Sequence, residues 1–161
     1  GLYSQAGTCF IAAAWITICV VCVSGFEGLR TSTYFDVGGV ATACFGETKN
    51  IKVGDKFTPE QCRQMLGDRI EKDFGPGVDK CIHHALPPKR KAAYTSFAYN
   101  AGINAFCGST AAKKENAGDP IGACNALMAW NKITVAGVKV YSPGLNNRRE
   151  QEKELCLEGT T

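Results

Sequence analysis

Two carboxylates nine residues apart, Glu27 and Asp36, are the first residues in this 161-residue chain whose setting suggests chemistry. Glu27 abruptly ends the apolar run Thr8–Phe26. If that run is helical, Glu27 sits at its carboxyl end, where the macrodipole disfavours negative charge. Apolar neighbours such as Phe26 and Leu29 add desolvation, which also favours a protonated carboxyl. Asp36 falls on the expected first turn of a hairpin, in less apolar company. Two carboxyls in contrasting environments form the acid/base arrangement of glycosidic hydrolysis. Spacing alone carries little weight, because most such pairs are surface charges.

Other chemistries find little support. His83 and His84 are adjacent and so face different ways; with Pro87-Pro88 following, a solvated loop is expected. No metal site and no cofactor is expected. Cys19 and Cys22 form the one CxxC, inside the apolar run. There is no glycine-rich phosphate loop, and Ser96 and Ser109 lack a nearby base in the sequence. A net charge of +3 is too mild to argue for nucleic acid.

The elements that must position Glu27 and Asp36 follow from local patterns. Glycines 25, 28, 38, 39 and 46 separate short β-prone runs, so Glu27–Asn50 reads as a twisted hairpin or a three-strand meander. Thr58-Pro59-Glu60-Gln61 starts a helix, with Thr as N-cap, Pro in the first turn and Gln as capping-box partner. Cys62, Met65, Leu66, Arg69 and Ile70 repeat at helical spacing. That helix is expected to fail by Gly75-Pro76-Gly77. Pro87-Pro88 opens another helix, running to Gly102. Ser109–Asn116 predicts a short one, and Asp119-Pro120 caps the next. Lys132–Tyr141 alternates weakly around Gly137 and reads as a loop or irregular hairpin. A last helix is expected over about Asn147–Leu157. The class is α+β: mainly helical, with a small sheet near the amino end and an amino-terminal apolar helix.

Combined, the motifs say more than any one of them. Glu27-Gly28-Leu29-Arg30, Tyr34, Asp36, Gly39, Thr42 and Gly46-Glu47-Thr48 come first. Ser96-Phe97-Ala98-Tyr99-Asn100-Ala101-Gly102, Asn116-Ala117-Gly118-Asp119 and Pro143-Gly144-Leu145 with Arg148-Arg149-Glu150 follow in order. This series resembles the phage lysozymes of glycoside hydrolase family 24, whose Glu, eight residues, Asp, five residues, Thr pattern matches Glu27, Asp36 and Thr42. The resemblance implies a lysozyme-like fold and an endolysin that hydrolyses the β-1,4 bond between N-acetylmuramic acid and N-acetylglucosamine, inverting the anomeric centre. By position, Glu27 would be the general acid, Asp36 would activate water and Thr42 would hold it. Tyr99 and Asn100 match positions lining the saccharide cleft, and Arg148 (or Arg149) matches an arginine that pairs with the catalytic Glu. Two positions depart from the family: Ala41 stands where Trp is frequent, and Glu47 where His is frequent. Both bear on packing and charge balance near the site.

All formal charge lies in Glu27–Thr161. Thr8–Phe26 is just long enough to span a bilayer, but Ala, Gly, Thr and Ser dilute its apolarity. A cleaved signal peptide, a buried core helix and a weak signal anchor all compete, and Trp15 and Tyr3 serve equally as interface anchors or core aromatics. The start is similar to that of endolysins with a signal-anchor-release segment. This implies residues 1–26 as that segment and 27–161 as the catalytic domain. The protein would be held in the host inner membrane through residues 8–26, inactive, then released to the periplasm as a monomer that meets peptidoglycan strands. Nine cysteines point to an oxidising compartment. The resemblance implies Cys81–Cys107 and Cys124–Cys156 pairs, with Cys44–Cys62 a further candidate. That leaves Cys9, Cys19 and Cys22 either as buried thiols or as a thiol–disulfide switch. Two other readings compete with a hydrolase: a lytic transglycosylase, which needs no water-holding Asp and Thr, and a non-catalytic wall-binding protein on the same fold.

Overall fold

The computed structural model describes residues 2–36 and 38–161, with side chains from Ala14 onward except Val37. The apolar run is helical: α1 spans Leu2–Phe26. Cys9 and Tyr3 lie outside the described side chains. From Ala14 on, one face of α1 is buried. Trp15, Cys19 and Val23, spaced by four, are 8%, 0% and 0% exposed, while Val21 is 68% exposed. Among the described residues, no helix is long and apolar enough to cross a membrane.

After α1 the chain forms a hairpin, β1 (Arg30–Phe35) and β2 (Ala41–Cys44), antiparallel with Tyr34 opposite Thr42. This is a two-stranded sheet, extended among the described residues by isolated bridges from Ser32 to Lys56 and from Ala43 to Glu47. Gly39 and Gly46 take positive φ at its turns. Next is α2 (Pro59–Arg69), with the full Thr58/Gln61 capping box.

The chain does not stop at Gly75-Pro76-Gly77. One π turn, Ile70–Phe74, leads straight into α3 (Gly75–Cys81). The Gly75 N–H donates to the Ile70 carbonyl five residues back, and Pro76 thereby falls at the start of a new helix, where its missing N–H costs nothing. Both glycines are forced by packing. A β-carbon on Gly75 would lie 2.3 Å from the Trp15 ring, and one on Gly77 2.5 Å from Ile103.

Helix α4 (Pro88–Ala101) runs through the middle, buried from Ala92 to Ala98. On one side Ala92 joins Trp15, Cys19, Val23, Phe45, Leu66 and Ile70. On the other Tyr94 and Phe97 join Val78, Phe106, Cys124 and Leu127. Short helices α5 (Ile103–Cys107), α6 (Thr110–Asn116) and α7 (Pro120–Ala126) follow, the last two capped by Ser109 and Asp119. Of the loop or irregular hairpin expected over Lys132–Tyr141, the structure has a hairpin, and a regular antiparallel one: β3 (Lys132–Val135) and β4 (Val138–Tyr141). Ala136 and Gly137 both take positive φ at its two-residue turn, which suits the twist of the paired strands. The last helix, α8 (Pro143–Glu158), starts four residues earlier than expected. Ser142 caps it through the Leu145 N–H, with Pro143 in its first turn.

Disulfides join Cys44 to Cys62, Cys81 to Cys107 and Cys124 to Cys156. The first staples β2 to α2, and the last ties α7 to α8. His84 is not simply solvated: its Nε2 lies 2.9 Å from the buried Glu115 carboxylate, which also accepts from Tyr94. Glu115 is further ion-paired to Arg90 at 2.6 Å.

Candidate active site

Glu27 is the first residue after α1, and its N–H still donates to the Val23 carbonyl at 2.9 Å. The end of α1 therefore fixes where its carboxyl begins. From the opposite end of the chain, Arg148 on α8 donates from Nη1 to Glu27 Oε1 at 2.8 Å. The local sequence around Glu27 offers only the helix end and apolar neighbours, and the family resemblance implied an arginine partner from Arg148 or Arg149; the fold brings Arg148 to it. Gly46 also approaches closely, since a β-carbon there would sit 3.6 Å from Glu27 Oε2.

Arg148 is itself immobilised. It is 5% exposed, donates from Nε to Glu152 Oε2 at 3.3 Å and from Nη2 to the Ser96 carbonyl at 3.1 Å. Its guanidinium lies over the Phe26 ring at 4.7 Å. Glu152, fully buried, also accepts from Arg149 Nη1 at 2.7 Å and from the Ser96 hydroxyl at 2.6 Å. Burial pushes the Glu152 carboxyl up, against the pull of Arg149 and Arg148. Arg149 completes the network by donating to Asn100 and by covering Phe97.

Glu152 and the supporting part of Ser96 are what sequence reasoning missed. A signal existed: Arg148 and Glu152 are i,i+4, and Arg149 and Glu152 are i,i+3. Arg148 and Arg149 were alternatives for the Glu27 partner, and the fold gives that contact to Arg148.

Asp36 and Thr42 come from the two strands of the first hairpin and its turn. Asp36 Oδ1 accepts from the Gly38 and Val40 amides, both at 2.9 Å, so the carboxylate is pinned by its own turn. The Thr42 side chain is buried, and its hydroxyl donates to the Val40 carbonyl at 2.8 Å. With its proton so engaged, the oxygen's lone pairs are left to accept from a water.

Tyr99 donates to the Phe45 carbonyl beside Gly46, and burial raises its phenol, with Glu27 and Glu47 adding to the effect. Its neighbour Asn100 is exposed and faces Arg149. Glu47 is buried and structural in its contacts: it accepts from the Thr48 and Lys49 amides at 3.0 and 2.9 Å and pairs with Arg69 at 3.1 Å. It also lines a groove of about 400 Å³ between the segment after β2 and the π turn, floored by Ile51, Phe57 and Met65. Among the described residues no cluster of metal-ligating side chains is present. Away from that groove, the Cys22 thiol lies 3.7 Å from the Ser96 hydroxyl, and the Cys19 thiol is free and buried. Burial raises both thiol pKa values.

The chain is similar to known proteins in sequence and in fold. The family model described as phage lysozyme matches residues 24–152. A SAR-endolysin of Pseudomonas phage phiKMV is 44% identical over 132 residues, 82% of this chain and 81% of the relative. Among solved structures, an endolysin from Escherichia coli O157:H7 phage FAHEc1 superposes with a TM-score of 0.79 at 38% identity, covering 88% of this chain and 91% of the other. The muramidase domain of SpmX from Asticaccaulis excentricus superposes at 0.81 with 27% identity, covering 86% and 94%. An α+β fold with two small antiparallel sheets and a family match over residues 24–152 lead to one conclusion: the chain belongs to the phage lysozyme family.

Proposed function

We propose that this protein is an endolysin, a muramidase that cleaves the β-1,4 bond between N-acetylmuramic acid and N-acetylglucosamine in peptidoglycan. The observation that carries the reading is the Glu27–Arg148 pair at 2.8 Å, made at the foot of the hairpin that bears Asp36 and Thr42. In this reading Glu27 delivers its proton to the glycosidic oxygen as the bond to the anomeric carbon breaks. Asp36 accepts a proton from water, and Thr42 holds that water by accepting its other hydrogen. Water attacks the face opposite the leaving group, so the product is inverted at the anomeric carbon. Arg148 keeps the Glu27 carboxyl aimed, and Tyr99 and Asn100 border the glycan path.

A membrane-held stage fits α1. Its buried face covers Gly75 with Trp15, Ser96 with Cys22 and Arg148 with Phe26. With residues 8–26 in the host inner membrane, those contacts are lost and Glu27 is held at the bilayer surface, so the anchored form is inactive. Release to the periplasm lets α1 take the seat described here. Attack by Cys19 or Cys22 on a disulfide is favoured with α1 out of that seat, because burial there disfavours both thiolates.

Mass spectrometry of digested peptidoglycan tests the reaction. Reducing muropeptides are expected, and they should vanish with Glu27→Gln. A lytic transglycosylase would give 1,6-anhydro products instead, and a wall-binding protein none.

A further inference from the structure

The hairpin β3–β4 has no assigned role, and its surface is unusual. All eight strand residues are exposed. The register pairs Lys132 with Tyr141, Ile133 with Val140, Thr134 with Lys139 and Val135 with Val138. Directly opposed residues share a face, and successive residues alternate faces. One face is therefore Ile133, Val135, Val138 and Val140; the other is Lys132, Thr134, Lys139 and Tyr141. The hairpin is amphipathic, and its apolar face is turned to solvent: those four side chains are 46%, 51%, 62% and 44% exposed. Trp130, 38% exposed, lies two residues before it. The surrounding chain, 120–149, contains no Asp or Glu at all.

We propose that this hairpin is a membrane-surface contact that binds bilayers rich in anionic phospholipid. Charge favours that partner. The only formal charges on the hairpin are Lys132 and Lys139, and a run of thirty residues without a carboxylate removes what would repel an acidic surface. The chemistry of the side chains agrees. Aliphatic groups seat at the headgroup–acyl boundary while lysines on the other face snorkel to the phosphates, and Tyr141 and Trp130 are the aromatics typical of that depth. A second copy of this chain is a poorer occupant. Four half-exposed aliphatics offer on the order of 300 Å². Two such faces packed together reach about half the area of a standard stable interface. A glycan strand fits less well still, because the apolar face carries no hydrogen-bonding side chain. The proposal does not rest on the chemistry assigned to Glu27.

Co-sedimentation of the full chain with vesicles tests it. The parent should bind vesicles containing phosphatidylglycerol and bind pure phosphatidylcholine vesicles weakly, with salt reducing the difference. The triple variant Ile133→Thr, Val135→Thr, Val138→Thr keeps a β-branched residue at each substituted position. It should lose at least about tenfold in binding, with an unchanged circular dichroism spectrum and unchanged activity on soluble peptidoglycan fragments. A second variant, Lys132→Gln with Lys139→Gln, should lose about fivefold per lysine on anionic vesicles only. All three proteins carry α1, so any binding through α1 is common to them. Equal vesicle binding by parent and variants overturns the proposal. So does a parent that prefers neither lipid, a loss confined to lipid-free peptidoglycan, or a concentration-dependent dimer abolished by the triple variant.

Discussion

Arg148 on α8 reaches across 121 residues of sequence to hold Glu27 at 2.8 Å, and the same guanidinium is fixed from behind by Glu152 and the Ser96 carbonyl. The candidate acid is thus oriented by the far end of the chain. Its position depends on α1, α4 and α8 packing together.

Removing the acid should separate catalysis from stability. Glu27→Gln keeps the side chain's size and an oxygen for Arg148, so the fold should persist. Proton donation is lost, and kcat should fall by about 10²–10⁴-fold. Turbidity clearing of outer-membrane-permeabilised cells, read beside thermal unfolding, checks both. Full lytic activity would remove Glu27 from the mechanism.

Thr42 offers a cleaner comparison, because Val keeps the shape of Thr and loses only the hydroxyl, whereas Ser keeps the hydroxyl and loses only the methyl. Thr42→Ser keeps the hydroxyl and should retain most activity. Thr42→Val removes it, together with the bond to the Val40 carbonyl, at a stability cost of about 1 kcal/mol. Its kcat should fall much further than that cost explains. Equal activity in the two variants would contradict the water-holding role.

Glu152 should act through Arg148. Burial raises its pKa above the ordinary carboxyl value, against the pull of Arg149 and Arg148, so the folded chain binds this proton more tightly than the unfolded one does. By linkage, that contribution to stability is complete below the ordinary carboxyl range and is lost as pH rises through the raised value. Glu152→Gln should therefore flatten the stability–pH curve above the carboxyl range while lowering kcat by about tenfold through a looser Arg148. Glu152→Ala leaves two buried arginines without their carboxylate and should cost about 3–5 kcal/mol. Urea denaturation across pH, with kcat and KM measured separately, distinguishes positioning from simple loss of fold.

Seating of α1 can be read from its thiols. Cys19 is fully buried, and burial raises both its pKa and that of Cys22. Both should resist alkylation in the folded protein at mildly alkaline pH and react once denaturant is added. Gly75→Ala drives a methyl group into the Trp15 ring. That variant should lose about 1–3 kcal/mol and expose the thiols without denaturant. Peptide mapping after iodoacetamide labelling reports each cysteine. Labelling as slow as in the parent would show that α1 does not depend on this contact.

Local chemistry in the sequence determined a good deal. Thr58 with Gln61, Ser109, and Asp119 with Pro120 specify helix starts by hydrogen bonds within a few residues, and all three helices begin there. The family pattern Glu27, Asp36, Thr42 is likewise contained in sixteen consecutive residues. Where a residue's fate depended on distant partners, the sequence left it open or misled. Gly75-Pro76-Gly77 reads as a stop, yet it is helical, because a π turn shifts the hydrogen-bond register and the two glycines admit Trp15 and Ile103. Thr8–Phe26 is apolar enough for either a bilayer edge or a protein core, since both remove the same side chains from water. Only packing against α4 selects the core for its second half. Glu152 looks like one more charge on a charged helix. It becomes the buried hub behind Arg148 only once α8 lies against α4 and brings it to Ser96.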